Sequence, residues 1–125
     1  MAQILIIDDD PDVREFLEYT LNSAGHQTVT AEGGREGLNR FLRAPADLVI
    51  TDLFMPELDG LELIAGLRTR FPELAIIAMS GRTPNLLSVA RNMGSNEILH
   101  KPFSADELVA VVQSVLSKAD GRAGR

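Results

Sequence analysis

The chain alternates between two patterns of apolar positions. One is a series of short, β-rich runs, QILIID, ADLVITD, LAIIAMS and NEILHK, each followed by turn residues. The other is a set of longer stretches in which apolar residues recur every three or four positions. Gln3–Asp8 carries isoleucines on both faces, as a central strand covered on both sides would. Further strands are predicted at Thr28–Ala31, Asp47–Thr51, Ala75–Met79 and Glu97–His100.

The helices are bounded by capping and stop residues. Asp10 and Pro11 read as N-cap and first position of a helix with Val13, Phe16, Leu17, Leu21 and Ala24 on one stripe, stopped by Gly25. Leu38, Phe41 and Leu42 mark a second helix ending before Pro45. A loop through Met55 and Pro56 leads to Asp59-Gly-Leu-Glu62, a capping box opening a third helix with Leu63, Ile64, Leu67 and Phe71 inward, ended by Pro72. Thr83-Pro84 caps a fourth helix bearing Leu87, Ala90 and Met93, stopped by Gly94. Ser104 and Glu107 form a second capping box, and Leu108, Val111, Val112, Val115 and Leu116 face inward from the fifth helix.

Five strand–helix alternations with right-handed crossovers predict an α/β fold: a doubly wound, five-stranded parallel sheet with helices on both faces. The expected strand order is 2-1-3-4-5, in which the chain reverses between the first and third strands. The crevice at their carboxyl ends would then hold Asp8, Asp9 and Asp52 together. One domain is expected over residues 1–118, with 119–125 as a flexible C-terminal tail.

Composition narrows the function. At 125 residues and 45% apolar content, the chain fits a single domain. A net charge of -6 disfavours binding to a phosphate backbone, so no direct nucleic-acid partner is expected. The absence of cysteine excludes disulfides and thiolate chemistry. The N-terminal apolar run is too short and too acidic for a signal peptide or membrane span, and the protein is expected to be cytoplasmic with no membrane partner.

Asp8, Asp9, Asp52, Ser80 and Lys101 all fall at strand ends on one sheet edge. Carboxylates gathered in one crevice repel by on the order of 4 kcal/mol per pair at about 4 Å and an effective dielectric near 20, so a cation is the natural remedy. An all-oxygen set favours a hard ion, Mg²⁺ with Mn²⁺ as a substitute. A carboxylate can attack a phosphoryl group in line once the charge on the transferring oxygens is neutralised, and the metal, the Lys101 ammonium and the Ser80 hydroxyl could do so.

Taken singly these residues are ordinary. Asp10 reads as a cap only, Asp59-Gly60 as turn and cap, Ser80 as a strand-end hydroxyl and Lys101 as a surface ammonium; only convergence raises Ser80 and Lys101 above that reading. His26 and His100 have no second histidine at metal spacing. Gly33, Gly34 and Gly37 do not make a dinucleotide loop, and no phosphate-binding loop motif is present. Met55 and Met93 read as packing residues.

The segments ILIIDDDPDVREFL, DLVITDLFMPELDGLEL, IIAMSG and HKPF, in this order and spacing, resemble the receiver domain of two-component response regulators over nearly the whole chain. The resemblance implies a flavodoxin-like (βα)5 fold. It implies Asp52 as phosphoacceptor, Asp9 as the main acidic metal ligand, Asp8 acting largely through a metal-bound water, and the Phe54 main-chain carbonyl as a further ligand of Mg²⁺. Ser80 would be the switch hydroxyl, Lys101 the invariant ammonium, and Lys101–Pro102 a cis bond. The implied partners are a sensor histidine kinase or histidine phosphotransfer protein and a downstream protein target. The readout would lie on the face of the fourth helix, fifth strand and fifth helix, which could also pair into a homodimer.

The resemblance further implies a chain that is not a conventional enzyme but catalyses its own phosphoryl transfer and slow autodephosphorylation. No output domain follows the fifth helix, so the chain reads as a stand-alone receiver or as a piece of a longer regulator. It departs from the family at Ile98, where Tyr or Phe is common, leaving no aromatic ring for a rotamer switch. Gly81 stands where Ala is frequent, and a looser loop is expected from the wider freedom of glycine. Phe54 and Arg82 flank the path of an attacking water, and bulky Phe54 is expected to slow loss of the phosphoryl group. Two rivals remain. A magnesium-dependent phosphatase needs a carboxylate two residues past the nucleophile, where this chain has Phe54, and a receiver-like scaffold would never be phosphorylated.

Overall fold

The strands alternate with helices along the chain: β1 (Gln3–Ile7), α1 (Pro11–Ser23), β2 (Gln27–Ala31), α2 (Gly34–Arg43), β3 (Leu48–Asp52), α3 (Gly60–Arg70), β4 (Ala75–Ser80), α4 (Pro84–Met93), β5 (Glu97–His100) and α5 (Ala105–Ala123). The computed structural model describes residues 2–55, 58–81 and 84–123. The strands form one parallel sheet in the order β2-β1-β3-β4-β5, a flavodoxin-like α/β fold. The sequence reading of the order holds. Helix α5 extends past Lys118 to Ala123, into the segment expected as a tail, and residues 124 and 125 lie outside the described residues.

Strand side chains alternate between two cores. Ile4, Ile6, Leu48, Ile50, Ile77, Met79 and Leu99 pack with Leu17 and Leu21 of α1 and Leu108, Val112 and Val115 of α5. Leu5, Ile7, Val49, Ile76 and Ala78 pack on the other face with Phe41 of α2, Leu63, Ile64 and Leu67 of α3, and Ala90 of α4. Burial on both faces explains why the three central strands read as near-continuous apolar runs. Ile98 packs half-buried on the α2–α4 side.

The caps fall where residue chemistry places them. Asp10 accepts from the Asp12 amide ahead of Pro11, Asp59 accepts from the Glu62 amide, and Ser104 and Glu107 bond reciprocally. Gly25 and Gly94 end α1 and α4 at φ 97° and 127°, the left-handed region that favours glycine. The Thr83 cap and the loop at Pro56 lie outside the described residues, as do Arg82 and the side chain of Leu87.

Four predicted inward positions are exposed: Phe16, Ala24, Leu42 and Met93. In α1 the buried line runs through Leu17, Thr20 and Leu21, leaving Phe16 to lie against the Phe103 ring at a centroid distance of 6.2 Å. In α2 the buried residues are Gly34, Gly37 and Phe41. A Cβ on Gly37 would stand 2.4 Å from Ile7 Cδ1, so the helix meets the sheet through glycine, which a count of apolar residues does not register. Met93 is 41% exposed in the last turn of α4, where Ala90 takes the core position.

Candidate functional site

The carboxyl ends of β1, β3, β4 and β5 bring the predicted residues to one edge. Parallel pairing aligns Ile7 with Thr51, Asp52 with Met79 and Ser80 with His100. Asp8 and Asp9 therefore follow β1 beside the last residue of β3, with Lys101 one residue past β5. Asp8, Asp9 and Asp52 each offer a carboxylate oxygen within 4.8 Å of the others. An open cavity of about 340 Å³ is lined there by Asp8, Asp9, Asp10, Asp52, Phe54, Gly81 and Lys101.

The three acids are held differently. Asp8 is fully buried: one oxygen accepts from the Asp10 amide at 2.9 Å and the other from Lys101 Nζ at 2.8 Å. Asp52 is 7% exposed, its Oδ1 3.4 Å from Lys101 Nζ, while Asp9 is exposed. Both oxygens of Asp8 are thus occupied, leaving Asp9 and Asp52 the more open of the three toward an ion.

Burial raises the Asp52 carboxyl above the ordinary carboxylate range; Lys101 opposes the shift and the Asp8 charge adds to it. For Lys101, burial acts downward, but the hydrogen bond and charge of Asp8 and the charge of Asp52 outweigh it and hold the ammonium above its usual value. The site therefore sets a desolvated acid beside an ammonium held by two carboxylates. Three hard oxygen donors, with no nitrogen or sulfur ligand beside them among the described residues, fit Mg²⁺ or Mn²⁺. Phe54 lines the same cavity.

Ser80 ends β4 and is buried, at 1% exposure; the cavity wall on that side is formed by Gly81. The Ser80 carbonyl accepts from the Lys101 amide at 3.0 Å, which ties the end of β5 to the end of β4. The Lys101–Pro102 bond is cis, as the resemblance implied.

Sequence reading missed three supports. Arg14 Nη1 donates to the Asp8 carbonyl at 2.7 Å, although an arginine one turn into an amphipathic helix reads as solvated. Asp10, read as a cap only, also lines the cavity. Gly60, read as a turn residue, lies so close under the site that a Cβ would stand 2.3 Å from the Asp52 carbonyl oxygen. The Gly60 amide donates to the Leu53 carbonyl at 3.2 Å.

Comparison with known proteins agrees with this geometry. A family model described as the response regulator receiver domain matches residues 4–113. The chain is 36% identical over 120 residues to the transcriptional regulatory protein GlrR of Escherichia coli K12, covering 94% of this chain and 27% of GlrR. It is 36% identical over 118 residues to the response regulator MprA of Mycolicibacterium vanbaalenii, covering 94% of this chain and 51% of MprA. The chain thus spans from about a quarter to a half of these curated relatives. Among solved structures, it matches the Vibrio cholerae chemotaxis protein CheY4 with a TM-score of 0.86 at 30% identity, over 92% of this chain and 98% of that one. NtrX from Brucella abortus matches with a TM-score of 0.93 at 30% identity, over 98% of this chain and 28% of NtrX.

Proposed function

Because this chain belongs to the response regulator receiver family, we propose that it works as a phosphoacceptor switch in which Asp52 takes a phosphoryl group from phosphohistidine on a sensor histidine kinase or histidine phosphotransfer protein. The observation that carries the reading is the Lys101 ammonium, 2.8 Å from Asp8 and 3.4 Å from Asp52 within a cluster of three carboxylates. An ammonium so placed can meet the negative charge of a phosphoryl group arriving at Asp52.

In the transfer, an Asp52 carboxylate oxygen forms a bond to phosphorus as the phosphorus–nitrogen bond of the donor breaks, and the imidazole nitrogen keeps the electron pair and takes a proton. Asp8, Asp9, Asp52 and the Phe54 main-chain carbonyl would hold Mg²⁺ or Mn²⁺, which when bound supplies positive charge to the phosphoryl oxygens. Lys101 orients a phosphoryl oxygen and neutralises its charge. Ser80 turns its hydroxyl toward the added group, and because Ser80 and Lys101 end β4 and β5, the change reaches α4, β5 and α5. That face then engages a downstream protein target or a second copy of the chain. Slow hydrolysis of the aspartyl phosphate resets the switch. The reading places the protein in the cytoplasm; among the described residues no helix is long and apolar enough to cross a membrane.

Incubation with phosphoramidate and Mg²⁺ tests the assignment. Wild type should gain the mass of one phosphoryl group as an acid-stable, base-labile adduct, while Asp52→Asn should gain none. An unmodified wild type would instead favour a receiver-like scaffold.

A further inference from the structure

Arg14 closes on the acidic loop between β1 and α1 from both ends. Its guanidinium Nη1 donates to the Asp8 carbonyl at 2.7 Å, and its own amide donates to the Asp10 carbonyl at 3.1 Å. The side chain is 16% exposed, and Nη2 reaches the exposed Glu32 carboxylate at 3.5 Å. The Asp8 carboxylate does not depend on this arrangement, since Lys101 Nζ and the Asp10 amide already hold its two oxygens.

Asp9 is placed differently. Its carboxylate is exposed and has no hydrogen-bonded partner among the described residues, so its position is set through its backbone. A peptide unit is planar, and fixing the carbonyl of residue 8 therefore fixes the direction in which Asp9 Cα departs. On the other side, the bond from the Asp10 amide to Asp8 Oδ1, 2.9 Å long, fixes the peptide that leaves Asp9. With both peptides held, only side-chain rotation is left to carry the Asp9 carboxylate away from those of Asp8 and Asp52.

We infer that Arg14 is a positioning residue for the metal site: by pinning the peptide between Asp8 and Asp9, it keeps the Asp9 carboxylate turned toward the ion. The inference rests on the phosphoacceptor reading, with its ion among three acids, and deepens it. Charge alone predicts the reverse. A guanidinium near three carboxylates repels an incoming cation, so its removal should tighten Mg²⁺ binding. Loss of a group that orients a metal ligand weakens affinity by about 10- to 100-fold. The Glu32 carboxylate offsets part of the guanidinium charge, and solvent on that exposed side screens more of it. Orientation therefore outweighs charge, and the sign of the change in affinity separates the two.

The experiment compares wild type, Arg14→Met and Glu32→Gln by NMR titration with Mg²⁺ and by amide hydrogen exchange of the metal-free proteins. Arg14→Met should bind Mg²⁺ about tenfold more weakly. Its Asp10 amide should exchange about tenfold faster, while the Ile50 amide in the centre of the sheet keeps its rate. Glu32→Gln should bind Mg²⁺ as wild type does, because the bond to the Asp8 carbonyl remains. Equal or tighter Mg²⁺ binding by Arg14→Met would overturn the inference. So would an unchanged rate at Asp10, an equal acceleration at Ile50, or a Glu32→Gln chain weakened as much as Arg14→Met. Arg14→Gln, whose shorter side chain falls short of the carbonyl, repeats the test with the same expectations if Arg14→Met does not fold. Loss of folding in both would overturn the inference by making Arg14 a residue of the fold. Wild type that binds no Mg²⁺ would remove the ion site of the switch reading and the inference with it, whereas wild type matched by equally avid Arg14→Met would remove the inference alone.

Discussion

Lys101 Nζ donates to the Asp8 carboxylate at 2.8 Å across a separation of 93 residues, and Asp8 is fully buried. Replacing Lys101 by Met would leave that charge with only the Asp10 amide for support. The variant should lose about 2 to 3 kcal/mol of stability in metal-free urea unfolding. Adding Asp8→Asn to it should restore much of the loss, and a double variant no more stable than Lys101→Met would contradict the pairing.

Asp52 titrates in the opposite sense to a paired acid. Its folded value is raised, so the folded state holds the proton more tightly than the unfolded chain. The stabilising contribution is complete below the ordinary value of 3.8 and disappears as pH rises through the folded value. In metal-free buffer, Asp52→Asn should therefore gain on wild type as pH climbs through that window and remain ahead at neutral pH. Denaturation across pH measures it; wild type ahead at pH 7 would refute it. Saturating Mg²⁺ should stabilise wild type and narrow the gap.

At the other edge of the sheet, Arg68 joins α3 to the turn before β5. It donates to the Gly94 carbonyl at 2.8 and 3.1 Å, to the Phe71 and Pro72 carbonyls at 3.2 and 2.8 Å, and to Asn96 Oδ1 at 2.9 Å. Arg68→Leu should cost about 2 to 3 kcal/mol, because several partly buried acceptors lose their donor together. Arg68→Lys should recover only part, lacking the planar fork. Equal stability of Arg68→Leu and wild type in urea would show that the network contributes nothing.

Two glycines of α3 should respond oppositely to alanine. At Gly60 a Cβ would stand 2.3 Å from the Asp52 carbonyl oxygen and 2.7 Å from Leu53 Cα, both of them backbone atoms. Gly60→Ala should lose about 2 kcal/mol or more and impair phosphorylation as well, since the strain falls on the acceptor residue. A Cβ at Gly66 would meet nothing within 4 Å among the described residues outside its own helix backbone, and Gly66→Ala should gain about 0.5 to 1 kcal/mol through helix propensity. Thermal melts of the pair check both signs.

Phe54 borders the acidic cavity, and its bulk is expected to hinder the approach of water to Asp52. Phe54→Asn should shorten the lifetime of the phosphorylated form, measured as loss of the mass increment after donor removal. A longer lifetime would reverse the assignment.

Much of the fold was legible because its signals are local. The isoleucines of β1, the Asp10-Pro11 and Ser104–Glu107 caps, and the glycine stops at 25 and 94 each act within one turn or one strand. Where packing replaced pattern, the reading missed. Leu42 and Met93 look like core residues by hydrophobicity and are exposed, whereas Gly34 and Gly37 carry the contact of α2. Arg14 and Arg68 look solvated and instead satisfy backbone carbonyls.

By itself, the order of residues determined five strands and five helices and placed acids at the ends of β1 and β3, because hydrophobic period and capping chemistry depend only on near neighbours. The meeting of Lys101 with Asp8 and Asp52, and the backbone clearance that makes glycine necessary at 60, were decided by the tertiary structure alone. Those distances depend on how crossovers lay distant segments side by side, and no local property of the chain encodes a separation of a few tenths of an ångström.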